Sequence, residues 1–319
     1  MALKLLIVNY HYIRDSAPVR GIYNITPEAF NRQLEAIQAN GFRFVSMDDL
    51  HIAIREGNPE RLGQKACLIT FDDGLRESYE LGLSILDSKG IPGAFYVSGA
   101  TIGKKSVLDV HKFHYIQSAL SSDDIVNHLP PPLRSRADKV ADEVVKAQYV
   151  WDDFSTAKLK YLINFLLNRE EKQALVQMMF DKCVSSESLF AEKLYMSRTQ
   201  IQDLGKRGFL GGHGNMHIPL AALSAQALHQ EIAKSKSALD EVSGECVESI
   251  SYPYGGETAI SEEVFSESRR QGFVSGMTMI RGLNTEHDLI NGGLRLKRFD
   301  TNDVFGGKSE VRYRGYFND

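Results

Sequence analysis

Ala66-Cys67-Leu68-Ile69-Thr70-Phe71-Asp72-Asp73-Gly74 is a mostly apolar run that ends on two carboxylates and a glycine. Its β-branched and aromatic residues, closed by a turn residue, read as a buried strand. Leu75–Lys89 follows with apolar residues three and four apart, the period of a helix, and Gly93–Val97 is a second apolar run. Strand, helix and strand in that order form the unit from which parallel sheets are built.

The alternation extends in both directions. Further strands are expected at Leu3–Val8, Phe42–Val45, Gly208–Gly211, Val247–Tyr252, Gly272–Met277 and Leu294–Phe299. Helices are expected at Thr26–Asn40, Asp48–Arg55, Arg198–Arg207, Ser224–Val242 and Ser261–Gln271. Thr26 suits a helix N-cap, Pro27 the first helical position and Gly41 the residue past the end. Repeated units of this kind predict an α/β barrel. Residues 103–196 break the rhythm, with no strand pattern but helical stretches at Val107–Leu120, Ser135–Val150 and Ser155–Cys183. That is too long and too apolar for a loop. Residues 1–319 are therefore read as one barrel domain carrying a helical insertion, or lid, at 103–196, expected to border the catalytic face.

The 319 residues are 43% hydrophobic and 24% charged, the balance of an ordinary globular chain long enough to fold without disulfides. A net charge of −4 gives no electrostatic reason to bind nucleic acid or an anionic membrane. Cys67, Cys183 and Cys246 are too few and scattered for a disulfide framework or a cysteine zinc site. No run approaches the ~20 apolar residues of a membrane span. The N-terminus lacks the long apolar region of a signal peptide, so a cytoplasmic setting is expected. No motif sets an oligomeric state.

Adjacent side chains leave a strand on opposite sides, so of Asp72 and Asp73 one can hold a metal while the other faces a reacting water. A second cluster is Gly211-Gly212-His213-Gly214-Asn215-Met216-His217. Histidines four apart share one side of a helical turn and can bind one metal through neutral imidazoles. Two histidines and a carboxylate make a catalytic zinc set with a position left for water, with Asp73 or Asp72 as the third ligand. Tyr252-Pro253-Tyr254-Gly255 and Asn9-Tyr10-His11-Tyr12 complete the candidates. His11, Asp72/Asp73, His213/His217, Tyr254 and Arg298 all fall at or just past predicted strand ends, which converge on one face of a parallel barrel.

Thr70-Phe71-Asp72-Asp73-Gly74, His213-x-x-x-His217 and Tyr252-Pro253-Tyr254-Gly255 together resemble, in order and spacing, the polysaccharide deacetylases, the NodB-homology group or carbohydrate esterase family four. The resemblance covers residues 1–102 and about 195–300. It implies a distorted (β/α) barrel, one divalent metal and hydrolysis of an N-acetyl group from an amino sugar. Zinc is the expected ion, with cobalt, nickel or manganese compatible with the same ligands. Carried over, Asp73, His213 and His217 bind the metal, Asp72 is the general base, and the Tyr254 backbone N–H holds the oxyanion. The Tyr-His-Tyr opening and the Tyr-Pro-Tyr-Gly segment are most similar to the branch acting on bacterial surface polysaccharides and exopolysaccharides. A cytoplasmic enzyme of that kind meets nucleotide- or lipid-linked sugars and serves cell-surface glycan biosynthesis.

Three departures stand out. Gly214 replaces the family's Ser or Thr, Ser251 stands where an Arg orients the catalytic Asp, and Leu294-Arg295-Leu296-Lys297-Arg298 lacks the His that serves as general acid. His11 is therefore the candidate acid, and Arg298 a candidate partner for Asp72 or for substrate. Alternative readings are hydrolysis of another amide, such as an N-formyl group or a cyclic imide, and a catalytically impaired sugar-binding barrel. Weaker candidates read more simply as packing: His111 with His114 as a second metal pair, and Trp151, Phe154, Tyr161 and Phe165 as sugar-stacking aromatics.

Overall fold

A computed structural model describes residues 3–16, 18, 20–103, 106–148 and 154–317. The chain divides into two compact units, one of residues 1–16, 24–106 and 191–319, the other of 17–23 and 107–190. In the first, β1 (Lys4–Tyr10) leads to two short strands that pair with each other, β2 (Tyr12–Ile13) and β3 (Asn24–Ile25). Next come α1 (Pro27–Ala39), β4 (Arg43–Phe44), α2 (Met47–Glu56), β5 (Lys65–Phe71), α3 (Ser84–Ser88) and β6 (Gly93–Val97). Thr26 caps α1 by accepting the Ala29 N–H, and Pro27 takes the first helical position.

The second unit holds α4 (Asp109–Ala119), α5 (Ser122–Asn127), α6 (Pro131–Asp138), α7 (Asp142–Gln148), α8 (Phe154–Tyr161) and α9 (Arg169–Cys183), with no strand among its described residues. The expected helix Ser155–Cys183 is interrupted because Asn168 caps α9, accepting the Glu171 N–H while Glu171 accepts its own. Pro131 starts α6 earlier than expected, and the stretch Ser135–Val150 splits before α7. Trp151 and the end of that stretch lie outside the described residues. Phe154 is partly exposed beneath Lys146. The rings of His111 and His114 lie 6.1 Å apart, and neither belongs to a three-ligand group among the described residues.

After α10 (Glu187–Leu194), the chain continues through α11 (Arg198–Lys206), β7 (Leu210–Gly212), α12 (Ala225–Ser243), β8 (Ser249–Ser251), α13 (Glu262–Arg270), β9 (Ser275–Met277), α14 (Glu286–Gly292), β10 (Phe299–Asp300) and α15 (Glu310–Phe317). Eight strands form one sheet in the order β10-β1-β5-β6-β7-β8-β9, with β4 also on β5 and every pairing parallel. β1 runs along the whole of β5, so β4 and β6 share the other edge, β4 at Ala66–Cys67 and β6 at Ile69–Phe71. A bridge between Met277 and Leu296 joins β9 to the segment entering β10 and curls the sheet toward closure. This is a distorted (β/α) barrel. Among the described residues, no helix is long and apolar enough to cross a membrane.

The expected strand Leu294–Phe299 shrinks to Phe299–Asp300, and Gly293–Arg295 forms a 3-10 turn instead. Asn284 explains the change. Its backbone exchanges both hydrogen bonds with Leu5, while its side-chain amide bonds the N–H and C=O of Lys297. One side chain thus does the work of a strand at that seam. The helix expected at Leu75–Lys89 begins as a π-helical stretch, Ser78–Leu83, where Gly82 sits against Phe71 and Ile13.

The sheet is packed by rings on one side, with Phe71 stacked on Phe95 at 4.6 Å and Tyr10 edge-on to Phe30 at 4.7 Å. The other side carries polar residues with almost no exposure. His51 Nε2 bonds Ser275 Oγ at 2.9 Å, Ser275 donates to Ser249 at 2.8 Å, and Ser249 bonds the Tyr96 hydroxyl at 2.8 Å. Burial pulls His51 down to about 4, so it is neutral at physiological pH.

Candidate metal centre and active site

The strand ends that converge on one face are those of β1, β5, β7, β8 and the segment entering β10. From β5 the chain turns through Asp72 and Asp73, and Asp73 takes the left-handed backbone conformation, φ 77°. Among the described residues only two other non-glycine positions do so, His217 at 54° and Tyr254 at 63°. Such conformations cost on the order of 1–3 kcal/mol each and persist only where surrounding contacts impose them. All three belong to the motifs singled out in the sequence.

Asp73, His213 and His217 come together, each offering a ligand atom within 4.8 Å of the others. The Nε2 atoms of both histidines lie 3.3 Å from the same oxygen, Asp73 Oδ1. Contrary to the sequence expectation, the two histidines do not share a helical turn. They bracket an irregular loop that turns on Gly214 (φ 62°). That loop is held by Ser98–Ala100, since Ser98 Oγ donates to the His213 carbonyl and the N–H groups of Gly99 and Ala100 donate to Gly214 and Asn215.

His213 Nδ1 lies 2.7 Å from the Ser251 carbonyl. A carbonyl only accepts, so Nδ1 carries the hydrogen and, in the neutral ring, Nε2 presents its lone pair to Asp73. A lone pair directed at a buried carboxylate oxygen calls for a cation between them. The donor set, with the Ser251 carbonyl orienting one imidazole, fits a divalent metal bound by two imidazole nitrogens and one carboxylate. Burial opposes the charged form of His213, but Asp72 and Asp73 outweigh it and raise its pKa when no metal is bound.

Asp72 has another task. Arg298, with no exposed surface, donates from Nη1 to Asp72 Oδ1 at 3.0 Å and from Nη2 to Oδ2 at 2.8 Å. The guanidinium is itself fixed by Thr278 O, Thr70 Oγ1 and Ser251 Oγ. Asn9 adds a bond to Asp72 Oδ2 at 3.1 Å. Burial pushes the Asp72 carboxyl up, but Arg298, helped by His213 and His11, holds it down at about 2. It is ionised at any pH near neutrality. The family's orienting Arg is missing at position 251, yet a guanidinium reaches the same carboxylate from the segment entering β10, and Ser251 receives one of its hydrogen bonds.

His11 follows β1 in the turn before β2, half-buried, with its carbonyl taking the Ser78 hydroxyl and its ring close enough to influence Asp72. Tyr254 is 51% exposed, and its ring lies edge-on to His217 at 4.8 Å. The turn beyond it needs Gly255, where a Cβ would come within 2.8 Å of the Met279 nitrogen. Cys67 is buried inside β5, and burial pushes its thiol up, which removes it as a nucleophile.

Glu231 escaped the sequence reading, and Asn9 stood there within the Asn9-Tyr10-His11-Tyr12 segment without a role of its own. Asn9 is a polar residue interrupting the apolar strand β1, and that interruption is the signal it carries. Glu231 sits on the same stripe of α12 as Leu228, Ile232, Ser235 and Leu239, and a carboxylate on a buried helical stripe is its signal.

A family model described as polysaccharide deacetylase matches residues 60–149 and 168–274, more than half of the chain. The match takes in the Asp72-Asp73, His213–His217 and Tyr254 segments, and part of the helical region that the motif resemblance left out. No curated protein sequence matches the chain. Among solved structures it is similar to the Streptococcus pyogenes deacetylase PplD in complex with acetate, at 15% identity over all of both chains with a TM-score of 0.61. It is also similar to IcaB from Ammonifex degensii, at 17% identity over 99% of this chain and 97% of that one, TM-score 0.58. A de-N-acetylase from Aggregatibacter actinomycetemcomitans shares 14% identity over 97% and 99% of the two chains, TM-score 0.58. At such identities the likeness concerns the fold, and it agrees with the family match. The chain belongs to the polysaccharide deacetylase family.

Proposed function

We propose that this protein is a metal-dependent hydrolase that removes the N-acetyl group from an amino sugar during synthesis of a bacterial surface polysaccharide. The observation that carries the reading is a two-histidine, one-carboxylate cradle placed beside a second carboxylate that Arg298 keeps ionised. A divalent ion held by Asp73, His213 and His217, with zinc the best match to these ligands, supplies Lewis acidity toward an amide carbonyl and makes water more acidic.

The remaining roles belong to the chain. Asp72 accepts the proton released as a water oxygen adds to the acetyl carbon. The Tyr254 N–H is the donor for the oxyanion that the carbonyl oxygen becomes. His11 gives a proton to the amine as the carbon–nitrogen bond breaks, leaving acetate and a free amino sugar. Arg298 and Asn9 position Asp72 and take no part in proton transfer.

The test is acetate release from N-acetylated sugars offered free, nucleotide-linked and as oligomers, with bound metal measured in wild type and Asp72→Asn. Acetate from wild type alone, at equal metal content, supports both the reaction and the base. Metal without acetate from any substrate refutes the N-acetyl assignment, and absence of metal refutes the cradle. His11→Ala should retain metal and lose activity; full activity there removes His11 as the acid.

A further inference from the structure

The loop joining the two histidines is held from both sides. Its carbonyls at His213, Gly214 and Asn215 are taken by Ser98, Gly99 and Ala100. Its N–H groups face α12, where one carboxylate oxygen, Glu231 Oε1, accepts from both Asn215 (2.9 Å) and Met216. Glu231 is 7% exposed and lies 3.5 Å from where a Cβ on Gly214 would stand. A buried carboxylate is costly unless it is hydrogen-bonded, and here the two loop N–H groups supply those bonds. We propose that Glu231 is a positioning residue that sets the geometry and affinity of the metal centre. It does so by fixing the backbone immediately before His217 and by adding a negative charge behind the ligands.

The two ends of the loop are held differently. His213 is fixed through its own ring, by the Ser251 carbonyl. His217 lies four residues on, in a left-handed conformation that its own backbone does not favour. Two adjacent N–H groups converging on one anion impose a curvature that brings the chain round to Asp73, and charge-assisted bonds are the stronger kind. An apolar residue on this stripe, as at Leu228 and Ile232, would pack against the loop but leave both N–H groups without an acceptor. A neutral glutamine keeps one acceptor oxygen but loses the charge.

This inference rests on the metal reading above, and the experiment separates the two. Zinc affinity is measured by competition with a chelator, and the cobalt-substituted centre by its visible absorption, in wild type, Glu231→Gln and Glu231→Ala. Melting temperatures are taken in EDTA, and hydrogen exchange of the Asn215 and Met216 amides is followed without metal. Glu231→Ala should bind zinc about 10–100-fold more weakly, the usual effect of losing a group that holds a metal ligand in place. Its cobalt spectrum should shift, and both amides should lose protection. Glu231→Gln should recover the spectrum and part of the affinity. Zinc affinity within about threefold of wild type in a Glu231→Ala protein whose melting point has fallen would show a purely structural role and overturn the proposal. Protected amides in a wild type that binds no zinc would instead overturn the metal reading, and this proposal with it.

Discussion

Replacing Arg298 with methionine removes a guanidinium that has no exposed surface and makes five hydrogen bonds, two of them to Asp72. The Asp72 carboxylate, 3% exposed, then keeps only the Asn9 amide as a side-chain donor. Breaking a buried pair by removing one partner destabilises by about 3–5 kcal/mol, because an uncompensated charge stays behind. Asp72→Asn should cost a similar amount by stranding the guanidinium. The double variant should lose less than the sum, with a coupling energy of at least about 2 kcal/mol, measured by urea unfolding of the chelated protein. The pH dependence supplies a second check. In wild type the Asp72 carboxyl is held below its unfolded value, so its stabilisation is complete above pH 3.8 and is lost as pH falls through about 2. Without Arg298, burial raises the folded value above the unfolded one and the sign reverses, so acid now relieves the variant by neutralising the stranded carboxyl. The stability gap between Arg298→Met and wild type should therefore narrow from pH 7 to pH 3. A gap that stays constant over that range, or a coupling energy near zero, would refute the clamp.

Gly255→Ala should destabilise by about 1–2 kcal/mol, since the residue has φ 57° and its new Cβ would meet the Met279 nitrogen. Deacetylation should fall further than stability, because the adjoining N–H is the proposed oxyanion donor; denaturation and turnover measured on the same preparation check both. Chelation should lower the melting temperature by an amount that grows with the metal removed, equivalent to about 2.7 kcal/mol for metal at a hundred times its dissociation constant. The stabilisation by metal should shrink as the solution is acidified through the raised pKa of His213, because protons then compete for Nε2, and calorimetric scans at pH 8 and pH 6 compare the two directly.

Much of this architecture is legible in the chain because buried parallel strands are nearly continuous apolar runs, and β1, β5 and β6 are of that kind. The later strands carry weaker local signals. β8 and β9 are three residues each, carry serines on the inner face, and owe their place to neighbours. The segment 294–299 has a strand-like composition and meets β9 at Leu296, but toward β1 it is bonded by the side chain of Asn284, a contact no local pattern encodes. At the site, residue types and their placement after strands led to Asp72, Asp73, His213, His217 and Tyr254. The conformation of the histidine loop did not follow from spacing, since two histidines four apart satisfy a helix and this glycine turn equally. Glu231 acts from a helix outside the motifs, and only its place on an apolar stripe marked it.

The hydroxyl chain from His51 through Ser275 and Ser249 to Tyr96 limits how this sequence can drift. Each hydroxyl has one hydrogen to give, so the members share a direction, and reversing one forces its neighbours to turn. A lone change of Ser249 or Ser275 to alanine strands a buried partner, at about 1–3 kcal/mol, a large fraction of an ordinary domain's margin. Relatives that have abandoned the arrangement should therefore have exchanged several of these positions together, on β6, β8, β9 and α2 at once. Covariation among these four sites would be the historical trace of a buried polar chain inherited as a set.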